Sequence, residues 1–141
     1  MSATRAMGAG EATRTLSVLL YSDNIDTRVS VRMAVGRRPA SDVPRVEWLE
    51  CATPAAVVSA LDAGGVDLAI LDGEASPLGG LGLCRQLKSE IYRCPPVLVL
   101  LGRPQDSWLA AWSLADGAVL HPLDPAAVAQ AVAELARTIA L

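Results

Sequence analysis

VDLAILDGEASPLGGLGLCRQLK, residues 66–88, places a largely apolar run before a segment with helical spacing, with a Gly/Pro-rich turn between them. Val66 to Leu71 reads as a strand buried on both faces, with Asp67 its single polar residue. Asp72 to Gly80 reads as a loop and Leu81 to Ile91 as a helix. Working outward, the same unit recurs. Leu16 to Tyr21 is a second buried run, and Asn24 or Asp26 is placed to cap a helix over Ile25 to Arg38. Val29, Met33 and Ala34 are its expected inward residues. Val46 to Cys51 is β-rich. Thr53 then caps a helix from Pro54 to Ala63, with proline at the first position, where its missing N–H costs nothing. Downstream, Pro95-Pro96 breaks the chain before a strand over Val97 to Leu101. A helix over Gln105 to Ala115 follows, then a short strand over Ala118 to Leu120. Asp124 caps a last helix, Pro125 to Ile139.

Strand and helix therefore alternate five times. That pattern predicts βαβ units and a parallel sheet with helices on both faces. Ligand and reaction sites of such sheets lie beyond the carboxyl ends of the strands. The positions to examine are Ser22, Asp23 and Asn24, Asp72 to Glu74, Gly102, and His121 with Pro122.

Composition narrows the function. The 141 residues are 52% hydrophobic and 19% charged, with a formal net charge of −3. A chain of this size holds one domain with a proper core, and this balance excludes disorder for most of it. The acidic net charge argues against a nucleic-acid binder with a wide basic surface. No run approaches the roughly 20 apolar residues of a membrane span, and Met1 to Thr15 lacks the apolar segment of an export signal. Residues 1–15 read as a flexible tail, residues 16–141 as the domain, and the cytoplasm as its address. Cys51, Cys84 and Cys94 form no C-x-x-C pair, and His121 is the single histidine. The expectation is reduced thiols packed in or near the core and no zinc site.

Asp23 and Asp72 end the first and third strands. On neighbouring parallel strands two carboxylates suit a hard cation such as Mg²⁺, which takes oxygen ligands. The plainer reading makes one a helix cap and the other a turn residue.

Four segments carry a resemblance: VLLYSDNIDTR at 18–28, residues 66–88, PPVLVLLG at 95–102 and LADGAVLHPLDPAAVAQAV at 114–132. In order, spacing and element type they resemble the receiver domain of bacterial two-component response regulators. The resemblance covers residues 16–140. It implies a flavodoxin-like α/β fold with sheet order 2-1-3-4-5 and makes Asp72 the phosphoacceptor candidate. The family's site uses an acidic pair after the first strand, a hydroxyl after the fourth and Lys-Pro after the fifth. Here the acidic pair is reduced to Ser22-Asp23, Leu101 replaces the hydroxyl, and His121 precedes Pro122. Pro77 falls one place later than usual, whereas Gly80 keeps its place. Histidine is shorter than lysine and neutral for much of the time near pH 7. The resemblance implies that His121 faces Asp72, where a pair would stabilise the imidazolium.

Ser22, Asp23, Glu74, Leu101, His121 and Pro122 thus form a degenerate acidic pocket around Asp72, with Asp23 and Asp72 the only metal candidates. This predicts an atypical, phosphorylation-independent, non-enzymatic receiver with no cofactor. The competing reading is a working phosphoacceptor, phosphorylated at Asp72 by a histidine kinase with Mg²⁺. A flavin-binding protein is disfavoured, because Ser22 to Thr27 lacks a glycine- and hydroxyl-rich phosphate loop.

Without a working chemical site, function moves to the surface. Trp108 and Trp112 share one helical face, offset from the expected inward residues Ala111 and Leu114. They are either interface anchors or caps on a core built without Phe. Arg28, Arg32, Arg37, Arg38 and Arg45 make a basic patch, either a solvated face or a dock for an acidic surface. No residues remain for an output domain, so the expected action is in trans, through a protein partner on the fourth-helix to fifth-helix face. Composition and pattern resemble stand-alone (orphan) atypical response regulators of mycobacteria and related actinobacteria. That resemblance suggests docking on a membrane-bound respiratory assembly, the type I NADH dehydrogenase, at the inner face of the membrane. It implies neither nucleic-acid binding nor insertion into the membrane.

Overall fold

The structure is a computed structural model that describes residues 14–75 and 79–139. The tail over residues 1–13 and the placement of Pro77 lie outside the described residues. The elements are β1 (Thr15–Tyr21), α1 (Ile25–Val35), β2 (Arg45–Cys51), α2 (Pro54–Ala63), β3 (Leu68–Asp72), α3 (Gly80–Glu90), β4 (Val97–Leu101), α4 (Ser107–Trp112), β5 (Gly117–Leu120) and α5 (Pro125–Ala136). A 3₁₀ turn, Pro104–Asp106, leads into α4. The five strands are parallel in the order β2-β1-β3-β4-β5.

All residues of β3 and β4 are buried, and all are apolar except Asp72 at the end of β3. Burying each Leu, Val or Ile contributes about 1.5–3 kcal/mol. One face of the sheet packs Leu16, Val18 and Leu20 of β1 against Val31 and Val35 of α1 and Val128 and Val132 of α5. The other packs Leu19 and Tyr21 against Val57 and Leu61 of α2 and Leu83 and Leu87 of α3.

The caps form where the sequence places them. Asn24, Thr53 and Asp124 accept from the backbone N–H groups of Asp26, Ala56 and Ala127. Gly80 opens α3 hard against the end of β3: a Cβ there would stand 2.7 Å from the Asp72 carbonyl oxygen. Glycine at this place is a packing requirement of the site.

Three expectations need correction. The first helix ends at Val35 rather than Arg38, because Gly36 turns the chain with φ 67°. Its buried residues are Val31 and Val35; Val29 and Ala34 are half-buried, and Met33 is 78% exposed. The fourth helix is six residues long, not eleven. Leu114 lies beyond it with φ 66°, and both Ala111 and Leu114 are exposed. The inward contacts come instead from Ala110 and Ala115, beside the buried Ser113. The last helix stops at Ala136, short of Ile139.

Candidate functional site

Strand order brings Ser22, Asp72 and His121 to one crevice. β3 lies between β1 and β4, and Asp72, its last residue, pairs in register with Leu100. The Asp72 residue is 3% exposed. Its Oδ2 accepts the Ser22 hydroxyl at 2.8 Å, and its Oδ1 accepts the Glu74 N–H at 2.9 Å. The Ser22 hydroxyl accepts the Asn24 N–H at 3.0 Å while donating to Asp72. A carboxylate at position 22 would lack that proton and would set like charges together in a buried place. Serine here satisfies Asp72 rather than competing with it.

Arg28 fixes the Ser22 loop from α1. Its Nη1 donates to the Ser22 carbonyl at 2.6 Å and its Nε to Glu50 at 3.0 Å. Arg32 Nε lies 3.1 Å from the other oxygen of Glu50. Two of the patch arginines are therefore paired with the edge strand β2. No local sequence signal shows this, because the pairing depends on β1 lying beside β2.

His121 arrives from the end of β5, tied to β4 by its N–H to the Leu101 carbonyl at 2.7 Å. The His121–Pro122 peptide is cis. His121 Nε2 is buried, makes no hydrogen bond, and stands 3.5 Å from Asp72 Oδ1. The two groups meet. Leu101, 3% exposed, packs into the core beneath, offering methyl groups and no hydroxyl. Burial, and the charges of Asp23 and Asp72, push the Tyr21 hydroxyl above its ordinary pKa.

Asp23 is exposed at the rim. Among the described residues, no group of three or more Asp, Glu, His or Cys side chains converges. Asp72 already holds a hydroxyl and an amide on its two oxygens. The donor set is thus thin for an octahedral cation, and no step here is routed through a metal.

The rest of the proposed surface is elsewhere. Trp108 and Trp112 are 65% and 44% exposed on α4. The Arg85 guanidinium, from α3, lies over the Trp112 ring at 4.9 Å and donates to the Trp112 carbonyl. Pro122 is exposed and lines a groove of about 510 Å³ between β5 and α5.

The chain is 50% identical over 127 residues to an uncharacterized response regulatory protein of Mycobacterium tuberculosis strain H37Rv, covering 90% of this chain and 96% of the relative. The chain belongs to the response-regulator receiver family. The corresponding protein of strain CDC 1551/Oshkosh matches equally. No family model matches the receiver. Its fold is that of solved receivers. The receiver domain of Francisella response regulator 1452 superposes with a TM-score of 0.72 at 14% identity, covering 87% of this chain and 98% of that one. The receiver domain of the putative response regulator NarL from Mycobacterium tuberculosis gives 0.70 at 23% identity, covering 88% and 98%. Among the described residues, no helix of the receiver is long and apolar enough to cross a membrane.

Proposed function

We propose that this receiver is a stand-alone, non-enzymatic docking module that works without phosphorylation. The observation that carries the reading is the state of Asp72. Asp72 is 3% exposed, and both of its carboxylate oxygens are already hydrogen-bonded within the protein. An attacking carboxylate needs an open approach, and burial together with a donor on each oxygen hinders it. Leu101 supplies no hydroxyl to report a phosphate, and β5 carries Ala118, Val119 and Leu120, with no aromatic side chain to swing. A signal written on Asp72 has no reader.

The face available for docking runs from α4 to α5. Trp108 and Trp112 stand out from it, and the groove beside Leu120 and Pro122 extends it. Exposed tryptophans are the residue type that anchors protein interfaces most strongly. The partner is a protein met in trans in the cytoplasm. A membrane-bound respiratory assembly of the NADH dehydrogenase kind is the first to try, with the receiver peripheral to the inner face of the membrane.

The competing reading, a phosphoacceptor served by a kinase and Mg²⁺, draws on one observation. His121 Nε2 stands 3.5 Å from Asp72 Oδ1 with no hydrogen bond of its own, where a cation would neutralise a phosphoryl group. Intact mass after incubation with Mg²⁺ and acetyl phosphate separates the two. The docking reading expects no added phosphoryl group under conditions that label an ordinary receiver. An adduct on wild type that is absent from Asp72→Ala overturns it.

A further inference from the structure

The basic patch legible in the sequence comes apart in the fold. Arg28 and Arg32 are paired with Glu50. Arg37, Arg38 and Arg45 make no side-chain ion pair or hydrogen bond among the described residues. They gather at the foot of the sheet, the end away from Asp72. The Val46 N–H donates to the Arg37 carbonyl at 2.9 Å, and Arg45 pairs in register with Thr15. That register sets Arg14, the residue before β1, beside Pro44. β1 is seven residues long, so this corner lies about 20 Å from Ser22.

Two cavities of about 350 and 250 Å³ open there, with Arg14, Asp42, Val43 and Pro44 in the walls of both. Arg38 and Ser41 complete the smaller one. Arg137 and Ile139 are in the wall of the larger. Asp42 is the only carboxylate in either wall, and Arg137 holds both of its oxygens, at 2.8 and 2.9 Å. Arg14 and Arg38 have no counter-ion among the described residues. Three guanidinium groups therefore face one carboxylate, in a chain whose formal net charge is −3. Like charges gathered around a recess repel one another and draw anions into it.

We propose that this corner binds a phosphate ester. Arg14 and Arg38 hold the phosphate, with the Ser41 hydroxyl as a further donor. A guanidinium presents paired N–H groups that match two phosphate oxygens, which suits this anion better than a single carboxylate. Val43, Pro44 and Ile139 form an apolar wall beside the charge and take the body of the ester. Inorganic phosphate fills only the charged part, so an ester with an apolar body binds more tightly. The ester is a soluble metabolite or a lipid headgroup; both offer the same phosphate to the same arginines. The site stands apart from the Asp72 crevice and from the α4 face, so it holds whether or not the docking reading does.

The experiment is an NMR titration of the full ¹⁵N-labelled chain with phenyl phosphate and with inorganic phosphate, at an ionic strength of about 0.15 M. Saturable shifts are expected at the amides of residues 38–43 and 136–139. Phenyl phosphate should bind about tenfold more tightly than inorganic phosphate. Arg14→Ala and Arg38→Ala should each weaken it about tenfold. Arg45→Ala, in the same corner but outside both cavity walls, should change it by no more than about twofold. All three side chains are exposed, and thermal unfolding confirms that each variant is folded.

Co-sedimentation with phosphatidylcholine vesicles, with and without phosphatidylglycerol, separates the sources. Binding that needs phosphatidylglycerol and is lost in Arg14→Ala/Arg38→Ala assigns a lipid headgroup. Phenyl phosphate binding without co-sedimentation assigns a soluble ester. No saturable shift together with no co-sedimentation overturns the proposal. A loss in Arg45→Ala as large as that in Arg14→Ala also overturns it, since the corner would then be diffuse surface charge. Shifts centred on Asp72 rather than on residues 38–43 do the same.

Discussion

Asp72 and Trp108 lie at opposite extremes of the same molecule. Around Asp72 polar groups converge: a hydroxyl and an amide bond the carboxylate, an imidazole stands 3.5 Å away without a hydrogen bond, and the Ser22 loop is braced by Arg28. Around Trp108 almost nothing converges. α4 has six residues and none is fully buried. Both oxygens of the carboxylate are bonded, whereas the exposed apolar surface sits on the fourth helix. Under the docking reading, the difference would put function on the helix face and leave the strand ends a mainly architectural task.

The largest effect that would break this contrast is at the tryptophans. Trp108→Ala/Trp112→Ala should weaken partner binding about 100-fold or more, since each anchor of this kind is worth about 2 kcal/mol. Its unfolding midpoint should stay close to that of wild type. A titration by isothermal calorimetry against the captured partner checks the first part, and a denaturant melt the second. A large loss of stability with unchanged binding would make the two rings core caps.

Ser22→Ala tests the other region. Removing the hydroxyl strips a buried carboxylate of its donor, so stability should fall by about 1–3 kcal/mol. Partner binding should not change. Urea unfolding measures the first. A neutral result would mean that the Ser22–Asp72 bond is not what holds the loop.

The thiols give a smaller, kinetic contrast. Burial pushes the Cys84 thiol up to about 11 and raises Cys51 and Cys94 as well. A raised thiol pKa keeps the unreactive protonated form. Stability linked to these groups is complete below the unfolded pKa near 9 and is lost as pH rises through the folded value. Ellman's reagent at pH 8 should therefore react slowly with native protein and fast with all three thiols in denaturant.

The smallest effect is at the surface pair. Arg137 holds Asp42 below the usual carboxylate range through hydrogen bonds of 2.8 and 2.9 Å. A depressed carboxylate stabilises above its unfolded pKa, and that contribution disappears as pH falls through the folded pKa. Arg137→Ala should flatten the acid limb of the stability curve slightly, and salt should erase the difference.

Particular residues show what the sequence discloses and what it hides. β3 and β4 are legible because both are apolar but for Asp72, and the caps at Asn24, Thr53 and Asp124 are legible because capping is local. Met33 and Leu114 mislead for separate reasons. An apolar residue at helical spacing gives no account of where the helix's neighbours end, and Leu114 belongs to a helix that has already stopped. That Ser22 and His121 meet Asp72 can be read from spacing and resemblance, whereas Asp23 at the rim and Pro122 in the β5–α5 groove do not join them. The Arg28–Glu50 pair cannot be read so, since it joins residues that only the folded sheet brings together.

The brevity of α4 has a consequence for motion. A helix of six residues with no fully buried side chain opens at little cost, and its amide protons should exchange with solvent long before those of β3 and β4. A partner closing over Trp108 and Trp112 would have to order the element it grips, giving up some affinity to do so. The bound state would then be recorded in deuterium uptake at residues 107–112, slowing there while the sheet stays unchanged.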